Sequence, residues 1–183
     1  MSTSVLPQTT AWTVDPVHSV AEFKVKHMMI SSVKGHFAGI RGTLTLDGED
    51  VTRSRVEASL DAASITTGDS QRDAHLKSAD FFDVDKFPEL TFVSRRFSRR
   101  EDGSLEVAGD LTIHGVTRAV VFSGECPSDP VRDPWGSDRI GLEATARINR
   151  KDFGLNWNAA LETGGILVGD EVAISLDVQF VKA

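Results

Sequence analysis

From Leu105 to Gly115 the chain reads LEVAGDLTIHG. Leu105, Val107, Gly109, Leu111 and Ile113 alternate with Glu106, Ala108, Asp110 and Thr112. Period two is the mark of a strand with one buried and one wet face. His114-Gly115 separates this strand from the next strand pattern by only two residues, and Gly supplies the positive φ that a tight hairpin needs. Strict alternation also implies antiparallel pairing, because parallel strands are usually apolar on both faces.

The same alternation recurs along the chain. It runs through Ala21, Phe23 and Val25, then Val56, Ala58 and Leu60. It returns in Ile140, Leu142, Ala144, Ala146 and Ile148, and again in Val172, Ile174, Leu176, Val178 and Phe180. Asp47-Gly48 and Asp102-Gly103 are further hairpin signals. Gly35, Gly39 and Gly42 interrupt the second strand, and the apolar phase shifts from Phe37 to Ile40, Leu44 and Leu46. This predicts a bulge or sharp bend near Gly39. One stretch, Gly68 to Ala79, lacks β-branched residues and carries Ser70-x-x-Asp73, a variant capping box, so a short helix is expected there. Phe81-Phe82 and Phe87-Pro88 follow in irregular chain.

Composition fits this reading. Val outnumbers Leu and is accompanied by many Thr, a balance that suits a pleated, half-buried surface. With 40% apolar residues and 15 glycines in 183 residues, the chain is an ordinary globular one, with no linker or repeat to divide it. Residues 1–11 read as an unstructured lead-in and 12–183 as a single domain. Seven to nine antiparallel strands can form a sandwich or a closed barrel. Long strands with one consistent apolar face and a glycine bend favour the barrel. Such a barrel is either filled by side chains or wide enough for one small ligand. Ala21, Ala58, Gly109, Ala144 and Ala146 on the inner face leave space, unless large neighbours fill it.

The net charge of −7 argues against non-specific nucleic-acid binding and gives no help in docking on anionic lipid. Met1 to Ala11 lacks a basic and an apolar signal region, and no apolar run spans a bilayer, so a cytoplasmic location is expected. Cys126 is the single cysteine, without an intramolecular partner. His18, His27 and His36 are nine apart, a spacing with no defined ligand geometry on strands that turn back. There is no HExxH or Cys-x-x-Cys, so neither a metal nor a cofactor is expected. No nucleophile elbow or phosphate-binding glycine turn occurs. The basic groups Arg95, Arg96, Arg99 and Arg100, and Arg147, Arg150 and Lys151, read as solvated hairpin ends or as an anion-recognising rim. His27 continues the inward series, so it either closes the core or meets the polar end of a ligand.

Several motifs together resemble a known family. Trp12, Asp15-Pro16-x-His18-Ser19 and Val25-Lys26-His27 are similar to the opening of the YceI-like, polyisoprenoid-binding family, followed by Gly35-x-Phe37 and Gly42. Arg72-Asp73-x-His75-Leu76, Asp80-Phe81-Phe82-Asp83 and Phe87-Pro88 resemble its helix and the turn after it. Gly109-x-Leu111-Thr112-Ile113-x-Gly115-Val116-Thr117 resembles its central hairpin, and Arg150-x-Asp152-Phe153-Gly154 its late motif. The resemblance implies an all-β, lipocalin-like, extended antiparallel β-barrel of about eight strands with one short inserted helix. It implies an apolar interior holding a long isoprenoid, such as a polyprenyl phosphate or a quinone tail, and association as a homodimer. It supplies no catalytic residue. Many family members are exported, whereas no signal peptide is read here.

The function expected is therefore binding of a long-chain isoprenoid lipid, as carrier, store or sequestering protein, with transient membrane contact. Phe23, Val25, Phe92, Leu111, Ile113, Phe122, Leu142 and Ile148 are the expected lining of the tail site. His27, Arg72 and His75 are candidates for its polar mouth. Two other readings stand beside it. An enzyme acting on such a lipid would need a polar pair in the cavity, for example His27 with a carboxylate. A solid barrel used for protein contact would show an exposed apolar patch.

Overall fold

The strands Leu105–Ile113 and Val116–Gly124 are joined by the expected two-residue turn, with φ of 54° at His114 and 71° at Gly115. The ring of Phe87 lies where a Cβ on Gly115 would be, 2.5 Å from its Cε1, so both the turn and its neighbour require glycine. The structure is a computed structural model that describes residues 8–183.

In chain order the elements are β1 (Thr9–Val14), β2 (Val20–His27), β3 (Ser31–Phe37), β4 (Ile40–Asp47), β5 (Arg55–Asp61), α1 (Ser70–Lys77), β6 (Glu89–Arg99), β7 (Leu105–Ile113), β8 (Val116–Gly124), β9 (Val131–Arg132), β10 (Asp138–Asn149) and β11 (Val168–Lys182). Single 3-10 turns lie at Pro16–His18, Val51–Arg53, Ala62–Ser64 and Arg150–Phe153. All strand pairs are antiparallel. Eight strands close a ring in the order β11-β1-β4-β5-β6-β7-β8-β10, with β10 returning to β11. The β8–β10 seam is short, Ser123 opposite Thr145 and Gly124 opposite Ala144. A Cβ on Gly124 would lie 2.0 Å from the carbonyl oxygen of Glu143, so only glycine permits closure there.

The longest strand, β11, holds two others end to end along one edge: β2 on its first half and β1 on its last residues. Asp15-Pro16 makes the break between β1 and β2, with the Asp15 carboxylate accepting from the Val17 N–H at 3.0 Å. The bend expected near Gly39 separates β3 from β4. Ser64 Oγ accepts from the N–H groups of both Ala38 and Gly39, and Asp61 Cβ leaves no room for a side chain on Gly39. The β2–β3 hairpin extends beyond the ring as a sheet edge, tied back by the His36–Thr66 bridge.

Three expectations need correction. The lead-in was expected to reach Ala11, but Thr9 to Ala11 already pair with β4; three small residues show no alternation, and the partner strand orders them. Residues 1–7 lie outside the described residues. The helix cap is Asp69, which accepts from the Arg72 N–H at 2.8 Å, rather than Ser70. Asp73 instead reaches back to the N–H and hydroxyl of Thr67. Asp47-Gly48 opens a longer connection, in which the buried Asp47 carboxylate accepts from Glu49 and Asp50 N–H and from Arg53.

One end of the barrel is filled. Trp12, Leu44, Phe97, Leu105, Ile140 and Phe180 meet there, all at most 3% exposed. A second cluster, including Ala62, Ile65, Phe153 and Leu155, forms toward the other end beneath α1 and the 155–168 segment.

Candidate ligand-binding cavity

Between the two clusters the barrel is hollow. Large side chains close one end, but the small side chains of Ala21, Ala58 and Ala144 line the space beyond. Glycines thin the wall further. A Cβ on Gly35 would lie 2.3 Å from Phe23 Cζ, and one on Gly109 would lie 2.6 Å from Phe92 Cζ, so each ring lies flat over a bare backbone. Ala146 is buried in the wall. The space left is a cavity of about 600 Å³, within the roughly 300–1,000 Å³ of small-molecule sites.

All eight residues expected to line it do so: Phe23, Val25, Phe92, Leu111, Ile113, Phe122, Leu142 and Ile148. Leu111, Ile113 and Phe122 are buried, whereas the other five are only half-buried although the pleat turns them inward. Phe92 and Phe122 meet edge to face at 5.1 Å, as do Phe37 and Phe82 at 5.8 Å, which gives the wall rigid aromatic corners. Sequence reading missed Leu76, Phe81, Phe82, Trp157 and Leu167. These lie on the helix or in irregular chain, where no period announces an inward face. It also left Val172, Ile174 and Leu176 unassigned, though their alternation carried the signal.

His27, Arg72 and His75 all border the cavity, together with Lys26, Asp69 and Gln71, where it meets solvent between the first turn of α1 and the end of β2. Arg72 is oriented by Thr67: its Nε donates to the hydroxyl at 2.7 Å and its Nη2 to the carbonyl at 2.8 Å. Its Nη1 has no partner among the described residues. His75 pairs with Asp80 at 2.8 Å and stands edge-on to Trp157 (4.7 Å) and Phe81 (5.1 Å). This His–carboxylate pair therefore sets an aromatic corner of the mouth. His27 makes no side-chain hydrogen bond among the described residues, so the pair envisaged for it is absent there.

Arg150 builds the rest of the mouth from beneath. Nearly buried, it donates to the carbonyls of Gly169 (2.8 Å), Leu155 (2.6 Å), Trp157 (2.9 Å) and Val168 (3.3 Å). Burial pushes its pKa below the usual arginine value, with Asp170 opposing the shift. Its role is to pin the 155–168 segment over the barrel, and it is not free to bind an anion. Arg95 and Arg100 pair with Asp110 and Glu106, and Arg147 with Glu171. The β6–β7 tip that carries Arg99 and Arg100 stands at the filled end, so the arginines there form no rim around the cavity. His18 pairs with Asp15, and His36 is exposed on the outer face; the structure does not bring them to His27. Among the described residues no three His, Cys, Asp or Glu side chains converge as a metal site.

The sequence profile of the YceI-like domain matches residues 12–180. A UPF0312 protein of Staphylococcus aureus is 38% identical over 171 residues, which cover 93% of this chain and 97% of that one. The YceI protein of Campylobacter jejuni superposes with a TM-score of 0.72 at 26% identity, over 87% of this chain and 91% of that one. BcnA of Burkholderia cenocepacia gives 0.76 at 22% identity, over 91% and 98%. A polyisoprenoid binding domain from Saccharophagus degradans, implicated in plant cell wall breakdown, gives 0.67 at 14% identity, over 95% and 99%. The last two, at such identities, speak for the fold alone.

Proposed function

We propose that this chain, which belongs to the YceI-like family, holds one elongated isoprenoid-type lipid in its barrel and acts as a carrier or sequestering protein. The observation that carries this reading is the apolar cavity inside the barrel, with a polar mouth at one end. The apolar wall offers water few hydrogen bonds, so the space suits an elongated apolar occupant better than water. The isoprenoid class rests on the resemblance of the chain's motifs to the YceI-like, polyisoprenoid-binding family.

Affinity from water is the wrong measure for such a ligand. At about 0.8 kcal/mol per methylene, a long chain would exceed the roughly −18 to −21 kcal/mol at which non-covalent affinities saturate. The real alternative is the bilayer, whose tails are as apolar as leucine. Transfer is then nearly balanced, and contacts at the mouth decide direction. Arg72, with Nη1 free among the described residues, suits an anionic or carbonyl head group there.

The test is extraction of the purified protein with organic solvent and native mass spectrometry of the intact chain. One long-chain molecule per barrel is expected, or stoichiometric uptake when polyprenol or polyprenyl phosphate is added. A clean apo mass with no uptake of either would falsify the reading. An Arg72→Ala variant should bind polyprenol as before and lose its preference for the phosphate.

A further inference from the structure

The β2–β3 hairpin breaks two local rules at once. Its turn consists of Met28, Met29 and Ile30, which are 39%, 60% and 80% exposed. Met28 and Met29 have φ of 52° and 61°, and the Ile30 N–H donates to the His27 carbonyl at 3.2 Å. A turn with two left-handed central residues is relaxed as Asn-Gly, and unbranched apolar residues are disfavoured there. Behind the tip, Lys24 stands directly opposite Lys34, a like-charge cross-strand pair that repels. Lys26 shares their exposed outer face. Among the described residues Lys24, Lys26 and Lys34 make no ion pair, unlike Lys86, Lys151 and Lys182, and the one acid beside them on the β2 outer face is Glu22.

Violations gathered on one hairpin mark a functional surface more often than an accident. Lysines on an edge strand also deter strand-to-strand aggregation, but that purpose is defeated by an exposed Met-Met-Ile tip. Three side chains are too small an area for a stable protein interface, which needs about 1,000 Å². Apolar side chains that enter the head-group region, backed by basic residues that meet anionic lipid, are the usual means of peripheral membrane attachment. The position fits: Lys26 and His27 border the cavity mouth, and the Met28 N–H donates at 2.8 Å to the carbonyl of Leu167, which lines the cavity.

We propose that the Met28–Ile30 tip and the Lys24, Lys26 and Lys34 face dock the barrel onto an anionic bilayer with its mouth toward the lipid. This goes beyond the ligand reading, since docking needs no molecule in the cavity. The chain's net charge of −7 opposes such docking overall, so the attachment must be local to this hairpin.

Co-sedimentation with two kinds of vesicle tests it: phosphatidylcholine alone, and phosphatidylcholine with about a third phosphatidylglycerol. The wild type should partition onto the anionic vesicles and be released by salt. The triple variant Met28→Asn, Met29→Gly, Ile30→Ser should bind about tenfold more weakly. Because Asn-Gly relaxes the turn, that variant should melt no lower than the wild type, which separates lost docking from misfolding. Lys24→Gln with Lys34→Gln should abolish the preference for anionic vesicles. No sedimentation of the wild type, undiminished binding by the tip variant, or equal binding to both vesicles each overturns the proposal. A concentration-dependent dimer lost in the tip variant, without vesicle binding, overturns it too and assigns the tip to a second copy. Polyprenol uptake from detergent by the tip variant should match the wild type, so a failure of docking is distinguishable from a failure of the lipid-binding reading.

Discussion

Ala144 offers a test of the hollow in which the sign of the effect decides. It lies in the middle of β10, half-buried, with its side chain on the cavity wall. Ala144→Leu adds three carbons to that space. If they enter empty volume, burial contributes about 2.4 kcal/mol at about 0.8 per methylene, and lost rotamer freedom offsets about 0.5–1 kcal/mol. The net gain, about 1.5 kcal/mol, raises the Tm of a domain of this length by about 3–6 °C. In a barrel packed by its own side chains the same leucine would overpack and cost about 1–3 kcal/mol. Thermal and urea unfolding of delipidated protein measure the sign directly. Added polyprenol should then stabilise the variant less than the wild type, because leucine and ligand compete for one volume. A delipidated Ala144→Leu that melts below the wild type would refute the reasoning, since no unfilled space could then adjoin that position.

Two further outcomes follow from the polar groups. Arg150→Met removes the donors that hold four carbonyls, while Asp170 keeps Lys151; destabilisation of about 3 kcal/mol is expected from the unpaired carbonyls. Amides of residues 155–168 should exchange faster in that variant, and unchanged protection would show that the segment is held by something else. Acid should destabilise the protein through its aspartates. Hydrogen bonds, from His18 first and Arg139 next, hold Asp15 well below the usual carboxylate range, and Arg139 with the Ser137 N–H lowers Asp133 in the same way. A depressed folded-state pKa contributes stability that is present above the ordinary value of about 3.9 and is lost as pH falls through the folded-state value. The Tm should therefore hold down to about pH 4 and fall below it. Asp15→Asn should flatten that fall, and an unchanged acid limb would remove Asp15 from the account.

Much of the fold was legible because period-two alternation is a local signal. The run from Leu105 to Ile113 is buried at every odd position, and its turn is the one His114-Gly115 announces. The inner face was readable in the same way, which is why Phe23, Val25, Leu111, Ile113, Leu142 and Ile148, taken from alternating runs, all border one cavity. Signals failed where contacts are not local. Thr9 to Ala11 look featureless until β4 pairs with them. Trp157 and Leu167 reach the mouth through distant contacts: Arg150 holds the Trp157 carbonyl, Asn158 accepts from the Leu167 N–H, and the Met28 N–H donates to the Leu167 carbonyl. The motif Arg150-x-Asp152-Phe153-Gly154 could be matched to a family by eye, but its use is visible only in three dimensions. Arg150 bonds the segment, Phe153 is 1% exposed, and Gly154 takes φ of 76° to end the turn.

By itself, then, the sequence determined the strands that alternate, the His114-Gly115 turn, and which side of each alternating strand is apolar. These properties depend on neighbours one to three residues away. Whether the apolar sides enclose a solid core or a hollow was decided by the tertiary structure alone. The interior width follows from how many strands close and with what stagger. Closure here rests on distant pairings, β10 against β11 and the glycine seam of Gly124 against Ala144. Alternation states the direction in which Ala144 points; only the closed ring sets the distance to the opposite wall.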